Sequence, residues 1–113
     1  YPGVYVHDPE TNGKYYAWLD GPHGPSAKLY VWDGSGTPAA AAEGVVEFGI
    51  AENFVAYGKD EAVWIYVFEN GKSYRLTPER ENTQFLGVSG GYVMWMDVTS
   101  RERDIIKYAL PPL

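Results

Sequence analysis

The sequence predicts an all-β fold built from one antiparallel four-stranded unit repeated three times. Three observations predict it. First, an aromatic-apolar-small-aromatic segment recurs at near-constant spacing, as Tyr15-Tyr16-Ala17-Trp18, Phe54-Val55-Ala56-Tyr57 and Tyr92-Val93-Met94-Trp95. Spacings of 39 residues from Tyr15 to Phe54 and 38 from Phe54 to Tyr92 mark a structural period rather than chance. Second, each copy is followed by a run of β-branched and aromatic residues, the types that suit a pleated, half-buried surface. Third, 10 Tyr and 4 Trp are punctuated by 13 Gly and 8 Pro, the composition of short strands joined by turns.

Taken in order, the central strands are residues 14–20, 53–59 and 91–97. The strands that follow them are Lys28-Leu29-Tyr30-Val31-Trp32, Trp64-Ile65-Tyr66-Val67-Phe68 and Asp104-Ile105-Ile106-Lys107-Tyr108. In the second copy Asn70-Gly71 comes next, and 72–77 reads as a further strand. Asn-Gly between two such runs predicts a two-residue type I′ hairpin, whose central residues both take positive φ. A shorter apolar segment precedes each central strand: 45–50 in the second copy, 85–88 in the third and 3–7, offset by a few residues, in the first. The repeats thus run about 1–43, 44–81 and 82–113. The second is complete. The first ends in an alanine run, 38–42, that suits a loop or short helix better than a strand. The third stops before an outermost strand.

Alternation along the last central strand sends Tyr92, Met94 and Met96 to one face and Val93 and Trp95 to the other. Both faces are apolar, as expected where a sheet is covered on both sides by neighbouring sheets. A compact β-sandwich or barrel is the alternative arrangement of the same strands.

The repeat resembles the TolB-type β-propeller blade. The matching residues are Tyr15 to Asp20 with Leu29 to Asp33, and Phe54 to Tyr57 with Ile65 to Phe68 and Gly71 to Thr77. The resemblance spans nearly the whole chain and implies radially arranged blades. It also implies a role as a protein-interaction platform, a part of a cell-surface or periplasmic protein, or a non-catalytic domain beside a peptidase. Two departures stand out: three blades are fewer than the roughly four to eight that close a ring, and the last blade lacks its closing strand.

Composition bounds the function. At 113 residues the chain supports one core. Fifteen acidic against 9 basic residues give a net charge of −6, which repels a phosphate backbone, and no segment gathers Lys or Arg with aromatics. The longest uncharged stretch, 34–42, is too short and too weakly apolar to span a bilayer. With no Cys there is neither a disulfide framework nor a thiolate zinc site. An initial Tyr1 without Met suggests a mature or excised piece, and the expected setting is extracytoplasmic: secreted, cell-surface or periplasmic.

Candidate chemistry is sparse. His7 and His23, the two histidines, fit no metal-ligand spacing. Asp20, His23 and Ser26 include triad residue types, yet one loop cannot orient a nucleophile, a base and an oxyanion hole. Asp20, Asp60 with Glu61, and Asp97 close the central strands at matching positions; strand-end turns capped by carboxylates explain them more simply than an acid–base or Ca²⁺ cluster. No catalytic residue, metal or cofactor is assigned. The charged segments 79–81 and 101–104 read as solvated loops. Trp18, Trp32, Trp64 and Trp95 read first as packing between repeats. Trp64 breaks the pattern and is expected to be the most exposed, so Trp64, Trp32 and Trp95 are the candidate binding residues.

The expectation is therefore a non-catalytic structural or protein-interaction module that pairs with itself, as a homodimer completing a six-bladed ring, or with adjoining domains of a parent chain. The alternative is a carbohydrate- or peptide-binding module using exposed aromatics.

Overall fold

The computed structural model describes residues 6–21, 27–77, 82–89, 91–98 and 104–109, the last group as backbone. Among these residues there are eleven strands and no helix. The first sheet comprises β1 (Val6–Thr11), β2 (Tyr16–Asp20), β3 (Lys28–Trp32) and β4 (Ala39–Glu43). The second comprises β5 (Glu47–Ile50), β6 (Phe54–Lys59), β7 (Ala62–Val67) and β8 (Lys72–Arg75). The third comprises β9 (Thr83–Ser89), β10 (Tyr92–Asp97) and β11 (Asp104–Ala109). Each sheet is an antiparallel meander in chain order, and no strand crosses from one sheet to another. The chain is all-β, in sheets of up to four antiparallel strands, and it does not close into a barrel.

The central hairpins hold their register without interruption. In the first sheet Tyr16 lies opposite Trp32, Trp18 opposite Tyr30 and Leu19 opposite Leu29. In the second, Val55 faces Tyr66 and Tyr57 faces Trp64. Irregularities fall on the outer pairings: between His7 and Glu10 in β1, between Leu29 and Tyr30 against β4, and between Met94 and Trp95 against β9. The first of these combines Asp8 at φ 54° with Pro9, a bulge that blunts an edge strand.

Two sequence expectations are corrected. The alanine run is a strand: Ala39–Glu43 pairs with β3, and its small side chains lie flat beside Leu29 and Tyr30. Burial of neighbouring strands outweighs the weak β-propensity of Ala. Asn70-Gly71 is not a two-residue hairpin, because Val67 pairs with Lys72 and leaves a four-residue connection, 68–71. Only Gly71 there takes positive φ, at 66°, and its N–H donates to the Val67 carbonyl. The two-residue turn of primed type lies instead at Asp60-Glu61, where φ is 53° and 57° and Lys59 pairs with Ala62. Val6, in the segment expected to precede the first central strand, belongs to β1 and pairs with Asp20.

The core consists of two layers, one on each side of the second sheet. On one side Ala17, Leu19, Leu29 and Val31 of the first sheet meet Phe48, Val55 and Tyr57, with Trp64, Tyr66 and Phe68 at the margin. On the other, Phe54, Ala56, Val63, Ile65 and Val67 meet Phe85, Val93 and Trp95 of the third sheet. Strict alternation along β6 and β7 produces this double-sided burial. Each fully enclosed Val or Leu contributes about 1.5–3 kcal/mol, so these two layers hold the three sheets in series.

The first strands tie neighbouring sheets together with polar contacts. Asn12 Nδ2 donates to the carbonyls of Ala51 (2.8 Å) and Glu52 (3.2 Å), linking the β1–β2 turn to the β5–β6 turn. Thr83 donates through both its backbone N–H (2.8 Å) and its hydroxyl (3.1 Å) to the Glu61 carbonyl, pinning β9 to the β6–β7 turn. Gly58 and Gly49 let the third sheet approach closely: a Cβ at either position would stand 3.1 Å from Phe85 Cβ or Val88 Cγ2, respectively.

Candidate functional site

The two buried layers share a polarity. In each, aromatic side chains of the later sheet pack on a mainly aliphatic face of the earlier one, joined there by Tyr15 at the first seam and Phe54 at the second. Tyr57, Trp64 and Tyr66 of the second sheet cover Ala17, Leu19, Leu29 and Val31 of the first. Phe85 and Trp95 of the third sheet cover Ala56, Val63, Ile65 and Val67 of the second. By repeat position Tyr16 and Trp18 correspond to Val55 and Tyr57, and to Val93 and Trp95. They therefore occupy the aromatic face of the first sheet, where no earlier sheet covers them among the described residues.

That face is the most chemically distinctive surface of the molecule. Cross-strand pairing sets Tyr16 beside Trp32, with ring centres 5.7 Å apart and a 45° tilt. It sets Trp18 beside Tyr30, 6.2 Å apart and near-parallel at 16°. Such pairs contribute about 0.5–1.5 kcal/mol beyond burial and hold the rings rigid. The Trp32 indole N–H donates to the carbonyls of Ser35 (3.1 Å) and Gly36 (3.0 Å), which fixes its plane from the β3–β4 turn. A groove of about 520 Å³ runs along the face, lined by Val6, Pro9, Glu10, Tyr16, Trp18 and Trp32. Tyr16 and Val6 are exposed, at 42% and 51%. Burial pushes the Glu10 carboxyl above the ordinary carboxylate range, opposed by a hydrogen bond from the Ile50 backbone N–H.

The three tryptophans singled out by sequence are not brought together. Trp32 alone lies on the face of the first sheet turned away from the second. Trp95 is 4% exposed, inside the layer between the second and third sheets. Trp64 is half-buried rather than exposed. It packs against the first layer and stacks on Tyr57 at 6.5 Å, with the Arg75 guanidinium 5.9 Å from its ring. Its indole nitrogen is enclosed without a hydrogen-bond partner. The expectation of exposure failed because β7 starts immediately after the tight Asp60-Glu61 turn, which places Trp64 opposite Tyr57 in mid-sheet. Trp18, Tyr16 and Tyr30 complete the face that sequence reasoning missed. Their common side follows from alternation, but which side turns away from the second sheet depends on the order in which the sheets stack.

Polar chemistry is dispersed. His7 bridges Asp8 Oδ2 and the Gly21 carbonyl through its two ring nitrogens, at 2.9 Å each. The Asp8 hydrogen bond, with the Gly21 carbonyl and the charges of Asp8 and Asp20, raises the imidazole above its ordinary value despite partial desolvation. Among the described residues no three His, Asp or Glu side chains converge as a metal site, and no helix is long and apolar enough to cross a membrane. His23, Ser26 and the loops at 79–81 and 101–103 lie outside the described residues. A second cavity, about 460 Å³, opens at the seam of the second and third sheets beside Lys59, Glu61, Gln84 and Phe85.

Fold and surface together define an all-β chain of serially stacked antiparallel sheets, with paired aromatics on the face of the first sheet turned away from the second. No protein-family model, curated protein or solved structure matches the chain.

Proposed function

We propose that this chain is a non-catalytic structural or protein-interaction module of TolB-like propeller repeats, acting outside the cytoplasm, and that its recognition surface is the aromatic face of the first sheet. One observation carries the reading. The repeat uses its aromatic face for sheet-on-sheet packing at both internal seams, and the same face of the first sheet carries Tyr16 and Trp32 along a groove of about 520 Å³. Rigid, paired aromatics bury large area at small cost in side-chain entropy, which suits them to an interface.

Hydroxyl-radical footprinting of the intact chain across a concentration series, and with oligosaccharide and peptide ligands, tests this. Protection at Tyr16, Trp18, Tyr30 and Trp32 on association supports the proposal. Association that leaves all four reactive and protects another surface overturns it. The second reading, carbohydrate or peptide recognition, draws on the same groove; protection of Trp18 and Trp32 by a free sugar or peptide, with the chain monomeric, would favour it.

A further inference from the structure

A self-reactive dipeptide occurs twice in this chain, and the fold treats the two copies differently. Asn12-Gly13 lies in the β1–β2 turn, and Asn70-Gly71 ends the connection between β7 and β8. In such a pair the glycine nitrogen loses its proton to solvent and attacks the asparagine Cγ. A C–N bond forms, the Cγ–Nδ2 bond breaks, and the side-chain nitrogen leaves as ammonia. Water then opens the cyclic imide at either carbonyl, giving aspartate or isoaspartate, and is the only co-reactant consumed. Glycine favours the step because it has no Cβ to hinder ring closure. Both copies continue as Asn-Gly-Lys, so their reactivity in an unfolded chain is nearly equal. Only the fold separates them.

At Asn12 every reacting group is engaged. The leaving nitrogen, Nδ2, donates to the Ala51 and Glu52 carbonyls of the second sheet's β5–β6 turn, at 2.8 and 3.2 Å. Oδ1 accepts the Lys14 and Tyr15 backbone N–H groups at 2.9 and 2.7 Å. The nucleophile, Gly13 N–H, donates to Thr11 Oγ1 at 3.0 Å. Turning the amide for attack therefore breaks its ties to the second sheet. Asn70 is exposed, and its side-chain bonds stay inside its own hairpin: Nδ2 donates to Tyr74 Oη and Oδ1 accepts the Lys72 N–H, each at 3.0 Å. Gly71 N–H donates to the Val67 carbonyl at 2.9 Å. That connection opens locally without parting two sheets. The products differ as well. Aspartate at position 70 still accepts the Lys72 N–H and gains the Tyr74 hydroxyl as a donor. At position 12 it sets a carboxylate against two carbonyl oxygens and removes their donor. We infer that Asn70 is a site of spontaneous deamidation in the folded chain, and that Asn12 is the same site locked by the packing of the first sheet on the second.

The intact chain is incubated in mildly alkaline buffer, with and without urea, and digested with trypsin at mildly acidic pH, where further conversion is slow. The two sites fall in separate peptides, ending at Lys14 and Lys72. Chromatography resolves the aspartate and isoaspartate products, and labelling by an isoaspartyl methyltransferase confirms the latter. The inference expects conversion at Asn70 in the folded chain, conversion at Asn12 slower by about tenfold or more, and near-equal rates in urea. It also expects Asn12→Asp to speed amide exchange in β2 and β3, and Asn70→Asp to leave that exchange unchanged. The kinetic comparison uses no variant and decides the matter even if Asn12→Asp fails to fold. Equal conversion of both sites in the folded chain overturns the lock at Asn12. Conversion of neither before urea is added overturns the Asn70 site. A rate difference that persists in urea belongs to local sequence and overturns the inference as a whole.

Discussion

Backbone sign decides more than side-chain identity at two turns. Gly71 takes φ 66°, while a Cβ there would meet nothing nearer than Tyr66 Oη at 3.5 Å. Gly71→Val should therefore lower stability by about 1 kcal/mol or more through backbone strain alone, with no clash, and should show as a fall in melting temperature. The converse holds at Glu61, an L-residue at φ 57° whose carbonyl, not its side chain, receives Thr83. Glu61→Gly should raise stability by up to about 1 kcal/mol, read as a higher urea midpoint at unchanged slope, and a fall would count against the turn assignment. His7 supplies a pH dependence. Its folded-state pKa is raised, chiefly by the Asp8 hydrogen bond, so its stabilisation is fully present below the unfolded value near 6.5 and is lost as pH rises through the folded value. Denaturation midpoints should drift downward across that window in the native chain and lose this component in His7→Gln. An imidazole titration at or below the unfolded value would refute the double hydrogen bond.

Strands succeed or fail here by what lies against them. Val63 N–H donates to the buried Thr77 hydroxyl at 3.1 Å just past β8. Thr77→Val keeps the shape but orphans that N–H, and should cost about 1–3 kcal/mol. β6 needs Gly58 because Phe85 Cβ, fixed to the β9 backbone, lies 3.1 Å from where a Cβ would stand. Gly58→Ala should destabilise and loosen the third sheet first, visible as faster amide exchange in β9 and β10 than in β2 and β3. The central hairpins of all three units were legible in sequence, since period-two aromatic and β-branched runs tolerate no other face assignment. The Ala39–Glu43 strand was not: nothing in four alanines announces a strand, and only the waiting edge of β3 makes them one. Nor was the turn after β7, where Asn-Gly signals a two-residue hairpin but the pairing of Val67 with Lys72 sets the loop at four.

At the scale of the molecule, stacking polarity is what converts a repeat into a surface. Among the described residues, the second sheet packs on both faces, whereas the first and third each meet a neighbouring sheet on one. Among the described residues no three His, Asp or Glu side chains converge as a metal site. Metal analysis of the purified chain should accordingly find no stoichiometric transition metal. Bound zinc, or hydrolytic turnover abolished by His23→Ala, would reverse that reading.

The sequence by itself determined that the chain is all-β, that its central strands repeat at a fixed spacing, and which side chains share a face, because side-chain alternation is a property of any extended strand. Only the tertiary structure decided which aromatic faces are spent. Trp18, Trp64 and Trp95 look alike in sequence, yet Trp95 is enclosed, Trp64 lies in a seam and Trp18 lies on the face turned away from the second sheet. Burial of a face is set by whether another sheet precedes it in the stack, a relation between units that no local pattern contains.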